Sequence, residues 1–400
     1  MTVVPDYTLT VRPGHPDFLD LDWKRPLDEW DSERIVDLPQ GISRHIVKFV
    51  SYRQGIYAVK ELPTALAHRD YEVLRELEVK GAPAVIPVGL IDHRNADPTT
   101  EASAALITKY VDFSFSCREL LEGPGFGQRR NQMLDAFASL LVELHTVGCF
   151  WGDCSLSNTL YRFDAETIET IMVDAETAAM FETLTDGQRE EDLEIMIVNV
   201  AGGMADIAAE RGIAIDDADL ALGEDIADRY RALWAELTDT PSIGSEERYR
   251  ISERVKRLNE LGFDVQEINL MPREGGRRLQ VKVRAGGRTY HRTKLKELTG
   301  VEALENQARQ ILDDLYYFQA KAGREEPGFK ALTSVQWRVG EFEPMLQRMR
   351  AIGESLDPIQ AYCDLLHFRY VKSADAGHDI GTEAAFAAWL EAGKPGFPLE

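Results

Sequence analysis

The sequence predicts an α+β fold: an antiparallel-sheet lobe, a mostly helical lobe, and a smaller C-terminal domain that again mixes helices and strands. Three observations lead there. Short β-rich runs crowd between residues 35 and 110 with one helical stretch among them. Helical periodicity then takes over. Finally, 400 residues exceed what a single core ordinarily organises.

Residues 1–33 carry prolines at 5, 13, 16 and 26 and little periodicity, so they read as an extended arm packed on the surface. Ile35–Leu38, His45–Tyr52 and Ile56–Leu62 read as antiparallel strands separated by Gly41–Arg44 and Arg53–Gly55. Ala65–Lys80 reads as a helix, with Val73, Leu74 and Leu77 on one side and Gly81 beyond its end. Ala84–Asp92 and Ala104–Tyr110 add two strands. After a link near Lys109–Asp112 the chain turns helical, most clearly at Arg130–Val147, with short strands at Thr159–Arg162 and Thr170–Val173. Thr238–Glu246 reads as a linker. A helix over Glu246–Leu261 follows, then strands near Phe263–Leu270, Arg278–Ala285 and Thr289–His291, then helices at Val301–Ala322 and Phe342–Arg350. The expected divisions are an arm at 1–33, a sheet lobe at 34–108, a helical lobe at 109–240 and a C-terminal domain at 245–400.

Composition narrows the function. A hydrophobic fraction of 44% is that of a globular chain. The apolar stretches are too short to span a bilayer, and Met1–Tyr7 lacks the basic start of a signal peptide, so a cytoplasmic protein is expected. Cysteines 117, 149, 154 and 363 form no CxxC pair and have no His partners at zinc spacing, which points to reduced thiols. A net charge of −23 argues against unspecific nucleic-acid binding by the whole molecule. Residues 245–300 run the other way, with 14 Lys and Arg against 8 Asp and Glu. Their core, 248–296, reads as a solvated face, or as a contact for an anionic partner such as a phosphorylated lipid, a nucleotide or RNA.

The chemistry concentrates in His145-Thr-Val-Gly148-Cys-Phe-Trp151-Gly152-Asp153-Cys-Ser-Leu-Ser-Asn158-Thr-Leu160. A helix ends, a loop presents Asp153, and Asn158 follows just before a strand. Ile171-Met-Val-Asp174 places a second carboxylate at the end of a strand, and Tyr57-Ala-Val-Lys60 ends another with a lysine. Phosphoryl transfer uses these types. A carboxylate orients or deprotonates an attacking hydroxyl (Asp153), hard oxygens hold Mg²⁺ (Asn158, Asp174), and a lysine neutralises phosphate charge (Lys60). Each feature alone is commonplace, since Asp and Asn favour turns and a strand-end lysine is usually solvated. The ordered combination carries the reading. His145 and Trp151 read as structural supports of the loop.

The arrangement resembles the protein-kinase-like superfamily, whose amino-terminal lobe runs three strands, one helix, two strands. Within it the pattern looks closest to the lipopolysaccharide-core (Kdo) kinases and to the RIO-type and aminoglycoside kinases, through HxxGxxxGDxxxxNxL, the late Asp174 and the compact first lobe. The resemblance covers roughly 34–240 and implies a bilobal fold, ATP and Mg²⁺ as cofactors, and a hydroxyl-bearing acceptor. The whole chain, with its tail around Trp337-Arg-Val-Gly-Glu-Phe-Glu-Pro344, also resembles an uncharacterised bacterial family in which a domain of unknown function follows a kinase-like half.

The same resemblance places an acidic partner for Lys60 at Asp70, with Glu72 as the alternative. It places adenine against Thr108-Lys109-Tyr110-Val111. Departures from ordinary protein kinases are plain. No GxGxxG precedes Lys60, so Gly41-Ile-Ser43-Arg44 would cover the phosphates through backbone N–H groups, Ser43 or Arg44. Gly152 stands where an arginine is usual, and Asp174 is followed by Ala-Glu, which brings a further carboxylate, Glu176, toward the metals. Three functions remain open at this point: a kinase acting on a small molecule, glycan, lipid or protein; a silent nucleotide sensor; and an AMP transferase.

Overall fold

The computed structural model describes residues 7–38, 44–122, 126–212, 214–273, 278–322, 327–353 and 356–397. Ser43, proposed to touch phosphate, lies outside them. The chain divides into two compact units: Met1–Pro124, Phe137–Tyr161 and Thr170–Leu233, and then Gly125–Ala136, Arg162–Glu169 and Trp234–Glu400. The fold is α+β, as expected.

The first unit opens with β1 (Thr8–Val11), β2 (Ile35–Val36), β3 (Val47–Tyr52), β4 (Gly55–Leu62), α1 (Thr64–Lys80), β5 (Pro87–Asp92) and β6 (Ala104–Lys109). The strands form one sheet in the order β1-β5-β6-β4-β3-β2, with antiparallel pairing at every step. Strand alternation divides β4: Tyr57 and Val59 are buried on one face, and Lys60 points to the other. The segment read as a surface arm is more than that. It supplies the edge strand β1, and Phe18, Leu21, Trp23, Leu27 and Trp30 pack with Tyr57, Val59, Val88, Ile91, Ala105 and Ile107 into one buried cluster. Five large apolar side chains stabilise this contact by roughly 1.5–3 kcal/mol each on burial. Within it Glu61 is also buried. Arg94 lies 2.6 Å from it, and the Leu27 N–H donates to it at 3.0 Å, so its charge is compensated.

The unit continues with β7 (Phe115–Ser116), α2 (Cys117–Glu122), α3 (Phe126–Thr146), β8 (Cys149–Phe150), β9 (Thr159–Asp164), β10 (Thr167–Met172), β11 (Ala179–Met180), α4 (Asp186–Arg211), α5 (Asp217–Leu220) and α6 (Leu222–Thr238); parts of α3, α6 and the β9–β10 hairpin count with the second unit. Helix α4 begins in a capping box, Thr185 with Gln188, and its buried stripe is Asp192, Leu193, Met196, Val200, Met204 and Ala208. All four cysteines are buried and none forms a disulfide.

The second unit contains β12 (Ser242–Gly244), α7 (Tyr249–Glu260), β13 (Val265–Arg273), β14 (Arg278–Ala285), α8 (Tyr290–Thr299), α9 (Glu305–Lys321), α10 (Pro327–Trp337), α11 (Glu343–Ile352), α12 (Pro358–Ala376) and α13 (Thr382–Glu391). Two expectations need correction. The presumed linker holds β12, whose partner is β14. Thr289–His291 is no strand: Thr289 stands just before α8, which starts at Tyr290. The helical core gathers Leu295, Ile311, Leu315, Trp337, Phe342, Met349, Tyr362 and Trp389. Asp164, at the end of β9, caps α9 by accepting from the N–H groups of Asn306 (3.0 Å) and Gln307 (2.7 Å). Among the described residues no helix is long and apolar enough to cross a membrane.

Candidate active site

Lys60 leaves β4 on the face opposite the aromatic cluster and enters a group of carboxylates. Its Nζ stands 2.7 Å from Asp174 Oδ2 and 3.5 Å from both Asp70 Oδ2 and Glu176 Oε2. Burial alone would lower the lysine's pKa, but Asp70, Asp174 and Glu176 together raise it, so the ammonium persists. Of the two acidic residues weighed on α1, Asp70 is the one facing Lys60: it is fully buried, while Glu72 is exposed. Asp70 Oδ1 also accepts the Ala175 N–H at 3.1 Å, tying α1 to the segment after Asp174. Burial pushes the Asp70 carboxyl up, and Lys60 pulls it back.

Glu176 is 2% exposed and takes up the other side of the group. His45 Nε2 lies 2.8 Å from it, Lys60 is near, and the Arg44 guanidinium donates to Oε1. Burial alone would raise this carboxyl; the His45 hydrogen bond, then the charge of Lys60, bring it down to about 2. His45 is raised in turn, first by its bond to Glu176, and its Nδ1 meets Glu101 at 2.6 Å. With a carboxylate at each ring nitrogen, both nitrogens donate and the imidazolium is favoured. Arg44 was expected at phosphate; in the structure it is engaged with Glu176.

The loop that carries Asp153 is held from α4. Gly148 has φ 84°, and a Cβ there would sit 2.0 Å from the Phe181 carbonyl oxygen, so only glycine lets the chain turn into β8, which pairs with β11. The buried Asp192 then accepts the backbone N–H groups of Trp151 and Gly152, each at 2.7 Å. His145 Nε2 donates to the same carboxylate at 3.1 Å. Asp192 can only accept, so His145 Nδ1 is the acceptor for the Tyr230 hydroxyl at 2.7 Å. Burial lowers the His145 pKa and keeps the ring neutral, which suits a support and not a proton shuttle. Trp151 is fully buried, stacks on Phe137 and donates Nε1–H to the Asp174 carbonyl at 3.0 Å.

Asp153 itself is braced by two amides: Asn158 Nδ2 donates to Oδ2 and Asn199 Nδ2 to Oδ1, each at 3.0 Å. Asn158 Nδ2 also reaches the Asp153 carbonyl at 3.2 Å. Two acceptors around one amide group fix its orientation, which leaves the Asn158 Oδ1 for a cation. Asn158 and Asp174 are close in the main chain, since the Val173 N–H donates to the Asn158 carbonyl at 3.1 Å. At the expected adenine link, the Lys109 N–H is spent on Ile86 and the Tyr110 N–H on Ile56; Ser114 donates to the Val111 carbonyl at 2.7 Å. Those two N–H groups are therefore committed within the protein.

Sequence reasoning missed His45, Asn199 and Asp192. A signal existed for the last two. They lie seven residues apart, two helical turns, on the α4 face that also buries Met196 and Val200.

The Lys60 ion-pair group, the carboxylate of Asp153 held by two amides, and the adjoining Asn158 and Asp174 all belong to the first unit. Residues 51–211 match the lipopolysaccharide kinase (Kdo/WaaP) family. Residues 232–393 match a domain of unknown function, DUF4032. The kinase-family match contains Lys60, Asp70, Asp153, Asn158, Asp174, Glu176, Asp192 and Asn199; His45 falls just before it. Among solved structures, one titled "WaaP in complex with acyl carrier protein" is similar over 57% of this chain and 88% of its own, at 14% identity and a TM-score of 0.35. No curated protein matches the chain significantly.

Proposed function

We propose that this chain is an ATP-dependent phosphotransferase that moves the γ-phosphoryl group to a hydroxyl acceptor, with Asp153 as the residue that orients and deprotonates the hydroxyl. The observation that carries the reading is the division of labour inside the first unit. Lys60 is buried among Asp70, Asp174 and Glu176, and Asp153 is held separately by Asn158 and Asn199. The first set manages charge; the second holds one carboxylate at a fixed angle. A pure nucleotide sensor has no use for the second.

The residues suit Mg²⁺. Asn158 Oδ1 and Asp174 would hold it, both hard oxygen donors, and a site of few protein ligands is usual for an ion that keeps waters and phosphate oxygens. Asp70 Oδ2, buried with no hydrogen-bond partner, shows that the carboxylates here outnumber the donors they need. When bound, the ion neutralises phosphate charge. Lys60 adds its ammonium to the phosphate oxygens, and Asp70 keeps that side chain from swinging into solvent. Asp192 holds the Trp151–Gly152 backbone, so the position of Asp153 is set by α4 and not by a mobile loop. Asp153 accepts the hydroxyl proton as the acceptor oxygen bonds to the γ-phosphorus and the bond from that phosphorus to the β–γ bridging oxygen breaks, releasing ADP.

The matched family's name makes a lipid-linked sugar the first acceptor to test. The experiment is transfer from γ-labelled and α-labelled ATP to material in a cell extract, with Asp174→Asn as the companion variant. Label transferred from the γ position, lost with Asp174→Asn together with the Mg²⁺ dependence of nucleotide affinity, is expected. Transfer from the α position would instead mean nucleotidyl transfer, and undiminished Mg²⁺ dependence in the variant would remove Asp174 from the site.

A further inference from the structure

The basic stretch noted in the sequence holds the long hairpin β13–β14, and its outer strand is unusual. The sheet order is β12-β14-β13, so among the described residues β13 is an uncovered edge. Its nine residues are almost all exposed, including Ile268 (40%), Leu270 (47%) and Met271 (37%). Such an edge is a template for another strand unless charge, proline or a short length blunts it. Pro272 removes one donor near the end, and Ile268 to Met271 remain able to pair.

Register shows what the edge fits. Ile268 lies opposite Val283 and Leu270 opposite Val281, so these two share a face with residues that are buried farther into the sheet. That face is continuous with a groove of about 440 Å³, whose lining includes Ile251 and Val255 of α7 together with Ile268. On the other face Arg273 stands directly opposite Arg278 and donates to Gln280 Oε1 at 3.0 and 2.8 Å, while Arg278 donates to Ser242, so two positive charges lie side by side. Glu267 is exposed on the same face as Arg273, with Arg284 of its own hairpin opposite it on one side and the open edge on the other.

We propose that β13 is the interface for a second copy of this chain, joined antiparallel about a two-fold axis through Leu270. In that register Leu270 faces the partner's Leu270, and Ile268 faces the partner's Pro272. Glu267 faces the partner's Arg273, and by symmetry the contact occurs twice. The partner's carboxylate then sets a negative charge beside the neighbouring Arg273 and Arg278 guanidiniums. The apolar side chains of both edges meet over the groove beside α7, which completes a face the single chain leaves open. An isologous contact of this kind closes on itself and does not propagate.

The test is the mass of the full chain in solution, by light scattering and sedimentation, up to about 100 µM, a range in which even a weak interface registers. Wild type is expected to reach the mass of two chains. Glu267→Arg and Arg273→Glu each place like charges across the axis and should weaken the dimer at least about tenfold. Mixing the two variants should restore it as a heterodimer, and the Glu267→Arg/Arg273→Glu double variant should restore it alone. That rescue separates a contact from misfolding, and neither residue touches the proposed catalytic groups. A wild type that stays monomeric, single variants that dimerise like wild type, or a mixture that fails to recover while circular dichroism shows folded chains would each overturn the proposal.

Discussion

Replacing Glu176 by glutamine keeps the shape of the side chain and removes its charge, which tests the electrostatic account of the Lys60 cluster. In the folded protein the carboxyl titrates at about 2, against an ordinary 4.5. That difference corresponds to about 3 kcal/mol favouring the folded state at neutral pH. The sign follows from the depression. The contribution is fully present above pH 4.5 and is lost as pH falls toward 2, because below both values the group is protonated whether folded or not. At pH 3 more than half of it is gone, so the stability gap between wild type and Glu176→Gln should shrink by about 2 kcal/mol between pH 6.5 and pH 3. Urea unfolding at the two pH values measures the gap. Titration of the His45 ring by NMR provides the local readout, since its raised pKa rests first on Glu176 and should drop in the variant. A stability gap independent of pH, with His45 unmoved, would mean that Glu176 carries no such charge coupling to His45 and Lys60.

Two further outcomes follow from the bracing. Asn199→Ala removes one of the two amides on Asp153; turnover should fall by about tenfold, the worth of a charge-assisted hydrogen bond of about 1.5 kcal/mol, with nucleotide affinity unchanged in a binding titration. Lys60→Ala and Asp70→Ala should be non-additive in a double-mutant cycle of activity, because Asp70 acts by placing Lys60; additive losses would separate them.

Much of this was legible in the sequence, for local reasons. Helical spacing put Asp70 on the face of Leu74 and Leu77, and α1 buries all three. The strand ending in Lys60 was readable from Tyr57-Ala-Val-Lys60, and β4 runs Gly55–Leu62. What escaped was decided by distant partners. Phe18, Trp23 and Trp30 sit in a proline-marked stretch without periodicity, and only the sheet beneath them makes them core. Ser242–Gly244 has no strand pattern of its own and becomes β12 by pairing with β14. Thr289–His291 looked β-like from Thr and Tyr, yet Tyr290 opens a helix whose first turn is held by Glu305, which accepts the His291 N–H at 2.8 Å. His45 is 131 residues from the carboxylate that charges it. Sequence spacing carries no trace of such a pair.

Asp153→Asn decides whether Asp153, as proposed, acts on the acceptor and not on the nucleotide. The substitution keeps size and much of the hydrogen bonding and removes the proton acceptor. Nucleotide binding and phosphoryl transfer are measured on the same preparation. Transfer should fall by about 10²–10⁴-fold, the usual cost of losing a general base, while ATP affinity moves by less than about tenfold, or 1.4 kcal/mol. A wild type that binds ATP but modifies no acceptor, matched in every assay by Asp153→Asn, would make the protein a nucleotide sensor and not a phosphotransferase.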